Sequence, residues 1–487
     1  MSVRVSELRA ALGERGLLVS AKGEIPAEVT GVADDSRKVE RGDLFIAVRG
    51  SISDGHDFLA AATDRGATLA IVEDPSRTTL PALVVREGRR AAAIAASTAY
   101  GNPARNLIMV GVTGTNGKTT STSIMRHLFD GTNEHSASIG TLGVLIGSEG
   151  EALPGGGGLT TPGPVELQRI LRALVDRGVR TVAMEVSSHS LDQRRVDGLE
   201  FDVVVFTNLT RDHLDYHGTM EAYLSAKARL LDYLKPGGIA VSNADARAWD
   251  SLSEKAKRLR FAIRAPAEIR AEDVRYTPTG SEWMLLTPRG SARVDLPLIG
   301  EVNVENGLAA AAASFALGGS PGKIAERLST VPQVAGRLEI ISTRPTVLRD
   351  YAHTPDALER TLKTARAFTR GKLIVVFGCG GDRDKGKRPI MGEIAERAAD
   401  FAIVTSDNPR TEDPDMIIDD IEAGMRGTNH ERITDRLAAI QRALDLARDG
   451  DIVLLAGKGH ETYQIRGTTS YPFDEKEIVK DMTGSPA

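Results

Sequence analysis

The chain has 487 residues, of which 41% are hydrophobic and 26% charged, with a net charge of −5. That length predicts two to four domains with substantial cores, in the composition range of soluble globular proteins. The negative charge argues against a general nucleic-acid binder, which needs a basic face; the single cysteine, Cys379, rules out a disulfide framework within the chain and suits a reducing cytosol. The segment Met1-Ser-Val-Arg-Val-Ser-Glu7 lacks the apolar core of a signal peptide. No apolar run approaches the roughly 20 residues a membrane helix needs. The expectation is a cytoplasmic monomer with no membrane or nucleic-acid partner.

Residues 1–105 alternate short apolar runs with helical patterns. Leu44–Val48, Leu69–Val72 and Leu83–Val85 read as strands, and Ala91–Ala96 as a packed helix. Asp35-Ser36-Arg37 and Gly42-Asp43 read as polar turns.

The most informative stretch begins the second block, residues 106–337. Leu107, Ile108, Met109 and Val110 form a buried strand. The chain then turns through Gly111, Gly114 and Gly117, and Lys118, Thr119 and Thr120 open a helix that continues through Leu128. Strand, glycine loop and helix in this order form a phosphate-binding loop. Glycines let backbone N–H groups of Gly114, Thr115, Asn116 and Gly117 approach phosphate oxygens, and the helix N-terminus adds partial positive charge. Lys118 would reach the outer phosphates, and Thr119 would place its hydroxyl on Mg²⁺. The spacing departs from the common pattern, because Val112 stands where the first glycine is expected.

Further buried strands follow at Thr181–Val186 and Phe201–Thr207, alternating with helices at Pro164–Arg177 and Asn303–Leu317; Pro154–Gly158 reads as a loop. This rhythm implies a mostly parallel, helix-covered sheet. Glu185 ends a strand and is either a metal ligand or a structural cap. Asp212, His213, Asp215 and His217 crowd the loop after the next strand, as a solvated loop or as part of a metal site; His213 is the less natural ligand for an oxygen-seeking ion. A helix is expected from Met220 to Leu234, with Met220, Tyr223, Leu224, Leu230, Leu231 and Leu234 as its apolar stripe. Lys227 falls inside that stripe. Either its stem snorkels past apolar neighbours, the commoner outcome, or it is buried for a purpose. Burial would depress its pKa and free the amine for chemistry, including conversion to an anionic carbamate.

Residues 338–487 restart the βα rhythm without a second lysine-bearing phosphate loop. Strands are expected at Lys372–Phe377, Phe401–Thr405 and Asp451–Leu455, and helices at Pro355–Phe368, Met416–Met425 and Arg436–Arg448. Three polar clusters lie just past strand ends, where open parallel sheets bind ligands: Gly378–Arg383, Asp407-Asn-Pro-Arg410 and Gly457-Lys-Gly-His-Glu461. Arg337, Arg383 and Arg410 suit planar recognition of phosphate or carboxylate. Pro409 stiffens its loop, so Asp407, Asn408 and Arg410 present a mixed-charge surface suited to a zwitterion such as an amino acid.

Taken in order, Asp35-Ser-Arg37, Gly114–Thr120, Thr160-Thr-Pro162, Glu185-Val-Ser-Ser-His189, Asn208–His217, Gly336-Arg-Leu-Glu339, Asp350–Pro355 and the three C-terminal clusters resemble the Mur ligases of peptidoglycan synthesis, most closely the MurE type. The resemblance runs from about residue 30 onward. It implies an α/β protein of three domains: a smaller N-terminal domain for a UDP-sugar (1–105), a central parallel-sheet P-loop ATPase (106–337) and a Rossmann-like amino-acid-binding domain (338–487). It implies ATP-dependent ligation of an amino acid to UDP-MurNAc-L-Ala-D-Glu through an acyl phosphate. By resemblance, Thr119, Glu185, His213 and a carbamylated Lys227 surround Mg²⁺, with Lys118 neutralising phosphates. Asn306, Arg337 and Asp350 match ATP contacts. Ser36, Thr160, Thr161, Ser187, Gln193 and Arg195 match contacts to the UDP-linked dipeptide, and the loop at 51–53 matches by position. Arg383, Asp407, Asn408, Pro409, Arg410, Gly457 and Glu461 match contacts to meso-diaminopimelate, the two arginines gripping a carboxylate that lysine lacks. The alternatives are the same ligation with L-lysine, or a folylpolyglutamate synthase-like ligase. A nucleotide-dependent switch, which would not need an amino-acid pocket, is a rival of another class.

Overall fold

The computed structural model describes residues 2–50, 53–131, 134–156, 158–252 and 256–484. The chain divides into two compact units. The first comprises residues 1–270, 285–291 and 305–327; the second comprises 271–284, 292–304 and 328–487. Residues 51 and 52 of the 51–53 loop, and Gly157 of the glycine run, lie outside the described residues.

The first unit opens with a five-stranded sheet in the order Leu18–Lys22, Ala82–Val85, Leu69–Val72, Leu44–Ile46, Val32–Ala33. The last four strands run parallel. Alternation assigns the side chains to two faces. Leu44, Ile46, Leu69, Ile71, Leu83 and Val85 pack with residues of helices Val5–Glu14 and Gly88–Ala99. Phe45, Ala70, Val72, Ala82 and Val84 pack on the other side with Leu59 and Ala62.

The same unit holds six neighbouring parallel strands: His135–Gly140, Val179–Glu185, Ile108–Thr113, Phe201–Phe206, Leu234–Asn243 and Lys257–Ala262. Gly143–Ile146 and Glu151–Leu153 extend one side antiparallel. Buried runs such as Met109–Val112, Val182–Met184 and Val203–Phe206 are free of charged residues because both faces of the sheet are covered there. Register is what builds the site. Val112 lies opposite both Glu185 and Val205, so three strands end at one level and their following loops share an edge.

The expected helix Met220–Leu234 is corrected. The α-helix ends at Ala228, a 3₁₀ segment covers Arg229–Tyr233, and Leu234 begins a strand, pairing with Phe201. The leucines continue an apolar rhythm after the helix has stopped. Strands Ile269–Thr277, Gly280–Thr287 and Gly290–Leu296 were not anticipated, since charged residues interrupt each of them.

The second unit contains a six-stranded sheet in the order Glu339–Thr343, Thr346–Asp350, Ile452–Ala456, Leu373–Phe377, Phe401–Val404, His430–Arg432. All but the first strand run parallel. Leu373, Val375 and Phe377 face residues of helices Pro355–Arg366, Lys387–Ala398 and Pro414–Glu422. Ile374 and Val376 face residues of Arg436–Leu446 and Glu475–Thr483. Asp350 pairs with Ala456 and Phe377 with Val404, which brings the three polar clusters to one edge. Among the described residues, no helix is long and apolar enough to cross a membrane.

Candidate active site

Strand Ile108–Thr113 delivers the chain into the glycine loop, and helix Lys118–Phe129 leaves it. Gly114 has φ +154° and Gly117 φ +84°, and a side chain at either would run into Thr207 or Asn306. Both positions therefore require glycine. The loop is held from the neighbouring strand end. Thr115 N–H donates to Asn208 O (2.8 Å), Asn116 N–H to Asn208 Oδ1 (2.9 Å), and Thr207 Oγ1 to Asn116 O (2.7 Å). Lys118 Nζ curls over the loop and donates to the carbonyls of Gly114 (2.9 Å) and Thr115 (2.8 Å). Thr120 is buried behind it. Asn306 Oδ1, from helix Glu301–Ala316, accepts from Ser121 Oγ of helix Lys118–Phe129 at 3.3 Å.

Glu185 is 1% exposed, yet the donors it accepts from are neutral: Thr119 Oγ1 (3.1 Å), Thr141 N–H (2.8 Å) and Thr141 Oγ1 (3.3 Å). A buried carboxylate with neutral donors is a fitting place for a cation. Lys227 is likewise 1% exposed and does not snorkel, so the commoner outcome for such a lysine is overturned here. Its Nζ donates to Gly114 O at 2.7 Å and lies 4.5 Å from the centre of the Tyr223 ring. Burial, reinforced by the charge of Lys118, holds its pKa well below the usual lysine range. Tyr223 in turn touches the loop through Thr115 Oγ1 at 3.3 Å.

His213 has φ +53° and faces His189 at 4.8 Å and Tyr223 at 6.2 Å between ring centres. Burial lowers the pKa of His213, against the pull of Asp212; burial also lowers that of His189, to about 4, helped by the neighbouring His213 and His217. These rings stand neutral at physiological pH. Among the described residues, no three His, Cys, Asp or Glu side chains form a ready-made metal cluster.

Beside Glu185 lies a connected polar group. Thr161 Oγ1 donates to Glu185 O (2.9 Å) and accepts from Ser187 N–H (3.1 Å). Arg195 donates to Thr161 O (3.0 Å) and Gln193 Oε1 (2.6 Å), and Thr160 Oγ1 lies 3.4 Å from Thr141 Oγ1. Thus Thr160, Thr161, Ser187, Gln193 and Arg195 are brought together with Glu185. Ser36, in the 3₁₀ segment Ser36–Lys38, makes no hydrogen bond to this group.

The second unit carries the rest. Asp350 Oδ2 accepts from Leu338 N–H (2.7 Å) and Oδ1 from Thr361 Oγ1 (3.1 Å), and burial raises its pKa against the pull of Arg337. The Arg337 guanidinium sits over the Tyr351 ring at 4.9 Å. Asn408 Nδ2 donates to Glu461 Oε2 at 2.8 Å. Arg410 Nη1 donates to Gly381 O at 2.9 Å, and Arg383 Nη1 to Asp382 O at 2.9 Å. A side chain at Gly380 would meet both Arg410 and Arg383, so the two arginines flank one spot. Pro409 is buried against Gly381, and Gly457 packs on Asp407. Asp407, Asn408, Glu461, Arg383 and Arg410 therefore form one mixed-charge cluster.

Comparison with known proteins decides the family. Residues 28–106 match the model described as "Mur ligase family, catalytic domain", 112–314 the "Mur ligase middle domain", and 336–459 the "Mur ligase, glutamate ligase domain". The chain belongs to the Mur ligase family. It is 45% identical, over 93% of its length and 94% of the relative's, to a UDP-N-acetylmuramoyl-L-alanyl-D-glutamate–2,6-diaminopimelate ligase of Geobacillus kaustophilus. It is 46% identical to the protein of the same name in Geobacter metallireducens, over 94% and 95% of the two chains. A solved structure of a ligase of that name superposes with a TM-score of 0.70 at 34% identity, covering 99% of both chains.

Three further residues of this Mur ligase touch the groups just described. By periodicity Tyr223 belongs only to an apolar stripe, yet it reaches Thr115 Oγ1, and Lys458 contacts Asn408 and Glu461. Gln464 Nε2 donates to Asp407 O at 2.7 Å, a contact that no sequence motif marks. The available signal for Lys458 was a lone lysine between two glycines after a fully apolar strand.

Proposed function

We propose that this Mur ligase joins meso-2,6-diaminopimelate to UDP-MurNAc-L-Ala-D-Glu at the expense of ATP. The observation that carries the reading is the cluster in which the anions Asp407 and Glu461 stand with the cations Arg383 and Arg410 at one strand edge. Opposed charges of that kind match the ammonium and carboxylate at the distal end of diaminopimelate. Lysine has no carboxylate there, and its binding would leave the arginines unmatched.

A carboxylate is a poor acyl donor because its leaving group would be oxide. An oxygen of the γ-carboxylate of D-Glu attacks the γ-phosphorus of ATP, and ADP leaves. An amine of the amino acid then attacks the acyl carbon, loses a proton, and expels phosphate carrying that oxygen. Such chemistry needs positioning and charge neutralisation more than a covalent nucleophile. Gly114–Thr120 would cradle the phosphates with Lys118 on the outer ones, and Asn306 would contact the nucleotide. Mg²⁺ would be held by Thr119, Glu185, His213 and a carbamate on Lys227; bound there, it supplies further neutralisation of phosphate charge. Ser36, Thr160, Thr161, Ser187, Gln193 and Arg195 would bind the UDP-linked dipeptide. A monomer acting in the cytoplasm, where ATP is supplied, fits this reading.

The test is product identification by mass after incubation with the UDP-dipeptide, ATP, Mg²⁺ and equal lysine and meso-diaminopimelate. The expected product contains diaminopimelate; a lysine product, or turnover only with a folate, contradicts the reading. Arg410→Ala should raise KM for diaminopimelate by about 100-fold, as expected for losing a charged bidentate contact, with KM for ATP within about threefold. Equal losses for both substrates would contradict the assignment of Arg410.

A further inference from the structure

Lys458 has no part in the assignment above, yet it is 0% exposed. A buried ammonium is tolerated only where acceptors meet it. Gly457 (φ +113°) and Gly459 (φ +55°) flank it, and side chains there would come within 2.6 Å of the Asp407 carboxylate and 2.7 Å of Tyr351. The loop is wedged between those residues, and Lys458 is turned inward from it.

Its Nζ reaches Asn408 Oδ1 at 3.2 Å and Glu461 Oε2 at 3.3 Å. Asn408 Oδ1 also accepts from Ile465 N–H at 2.9 Å, while Asn408 Nδ2 donates to Glu461 Oε2 at 2.8 Å. Lys458 Nζ and the Ile465 amide are donors only, so the Asn408 amide cannot turn over without facing donor to donor. Glu461 Oε2 takes both an ammonium and an amide donor, which turns Oε1 away from this contact. The Glu461 side chain remains 16% exposed, so the carboxylate is both anchored and reachable.

We propose that Lys458 is a positioning residue for the amino-acid substrate. It fixes the Asn408 amide and holds Glu461 by one oxygen, so that the other is aimed at the substrate's ammonium group. Lys458 itself touches no substrate. This rests on the function proposed above, in which Asn408 and Glu461 contact diaminopimelate. Without Lys458 the Asn408 amide keeps only the Ile465 N–H to fix its orientation, and Glu461 Oε2 keeps only the Asn408 amide donor, so both side chains are held less firmly.

The test is a double-mutant cycle on the full-length enzyme, with KM measured for all three substrates. Wild type is assayed first: failure to incorporate diaminopimelate refutes the proposed function, whereas the cycle addresses only the lysine. Lys458→Met should raise KM for diaminopimelate about tenfold or more, the loss expected for hydrogen bonds to charged groups. KM for ATP and for the UDP-dipeptide should stay within about twofold. Glu461→Gln should show a similar selective rise. The double variant should lie within about threefold of the worse single variant, because the lysine acts through the carboxylate. A rise shared by all three substrates, or effects of the two substitutions that multiply, would overturn the proposal. Lys458→Gln, which keeps a donor in the buried space, is carried through the same cycle. It decides the matter if the methionine variant loses its cooperative thermal transition, with a smaller selective rise expected and a general one contradicting.

Discussion

Lys118→Ala should lower kcat by about 10³-fold, a loss typical of removing one preorganised charge from developing negative charge, and worth about 4 kcal/mol. Lys118 now donates to the carbonyls of Gly114 and Thr115, at 2.9 and 2.8 Å. Phosphate oxygens are stronger acceptors for an ammonium than neutral carbonyls, so a bound nucleotide would draw it outward. The loop does not depend on this lysine for its shape. Asn208, Thr207 and the two constrained glycines hold it independently. The variant should therefore keep its circular dichroism spectrum and melting temperature while losing turnover in a coupled assay of phosphate release. Activity within tenfold of the parent would contradict the role given to Lys118.

Lys227→Met should produce a loss of comparable size, about 10³-fold, for a different reason. Burial and the nearby Lys118 charge favour the neutral amine of Lys227. A neutral amine attacks the carbon of CO₂ through its lone pair and releases a proton, leaving a carbamate with one negative charge. That change replaces a disfavoured buried cation with an anion, in a region that already holds Lys118 and would receive Mg²⁺. Enzyme equilibrated with ¹³C-labelled CO₂ should show one slowly exchanging carbamate carbonyl resonance by NMR. The resonance should be absent from Lys227→Met. A methionine variant with near-parental turnover, or a carbamate signal that survives the substitution, would contradict the assignment.

Much of the fold is readable because parallel strands buried on both faces leave unbroken apolar runs, as at Leu69–Val72 and Val203–Phe206. The phosphate loop is readable for a local reason: its function depends on glycines and a lysine at adjacent positions. Reading fails where tertiary context overrides local pattern. Leu230, Leu231 and Leu234 continue a helical stripe, but Leu230 enters the core from a 3₁₀ turn and Leu234 pairs as a strand. The segment Ile269–Thr277 reads as polar because Glu272, Asp273 and Arg275 punctuate it. Lys227 could be located from sequence, but not whether it is buried, since the same spacing serves a snorkelling lysine. Lys458 is less accessible still, because its burial shows only in contacts with Asn408 and Glu461, which no periodicity records.

The proposed reaction turns on transfer of a phosphoryl group to the substrate's own carboxylate. The most direct measurement uses UDP-MurNAc-L-Ala-D-Glu labelled with ¹⁸O in the γ-carboxylate, incubated with ATP, Mg²⁺ and diaminopimelate, with the released phosphate read by mass. One labelled oxygen should appear in the inorganic phosphate for each amide bond formed. Amide formation with unlabelled phosphate would contradict the acyl-phosphate route and the role assigned to the loop that holds ATP.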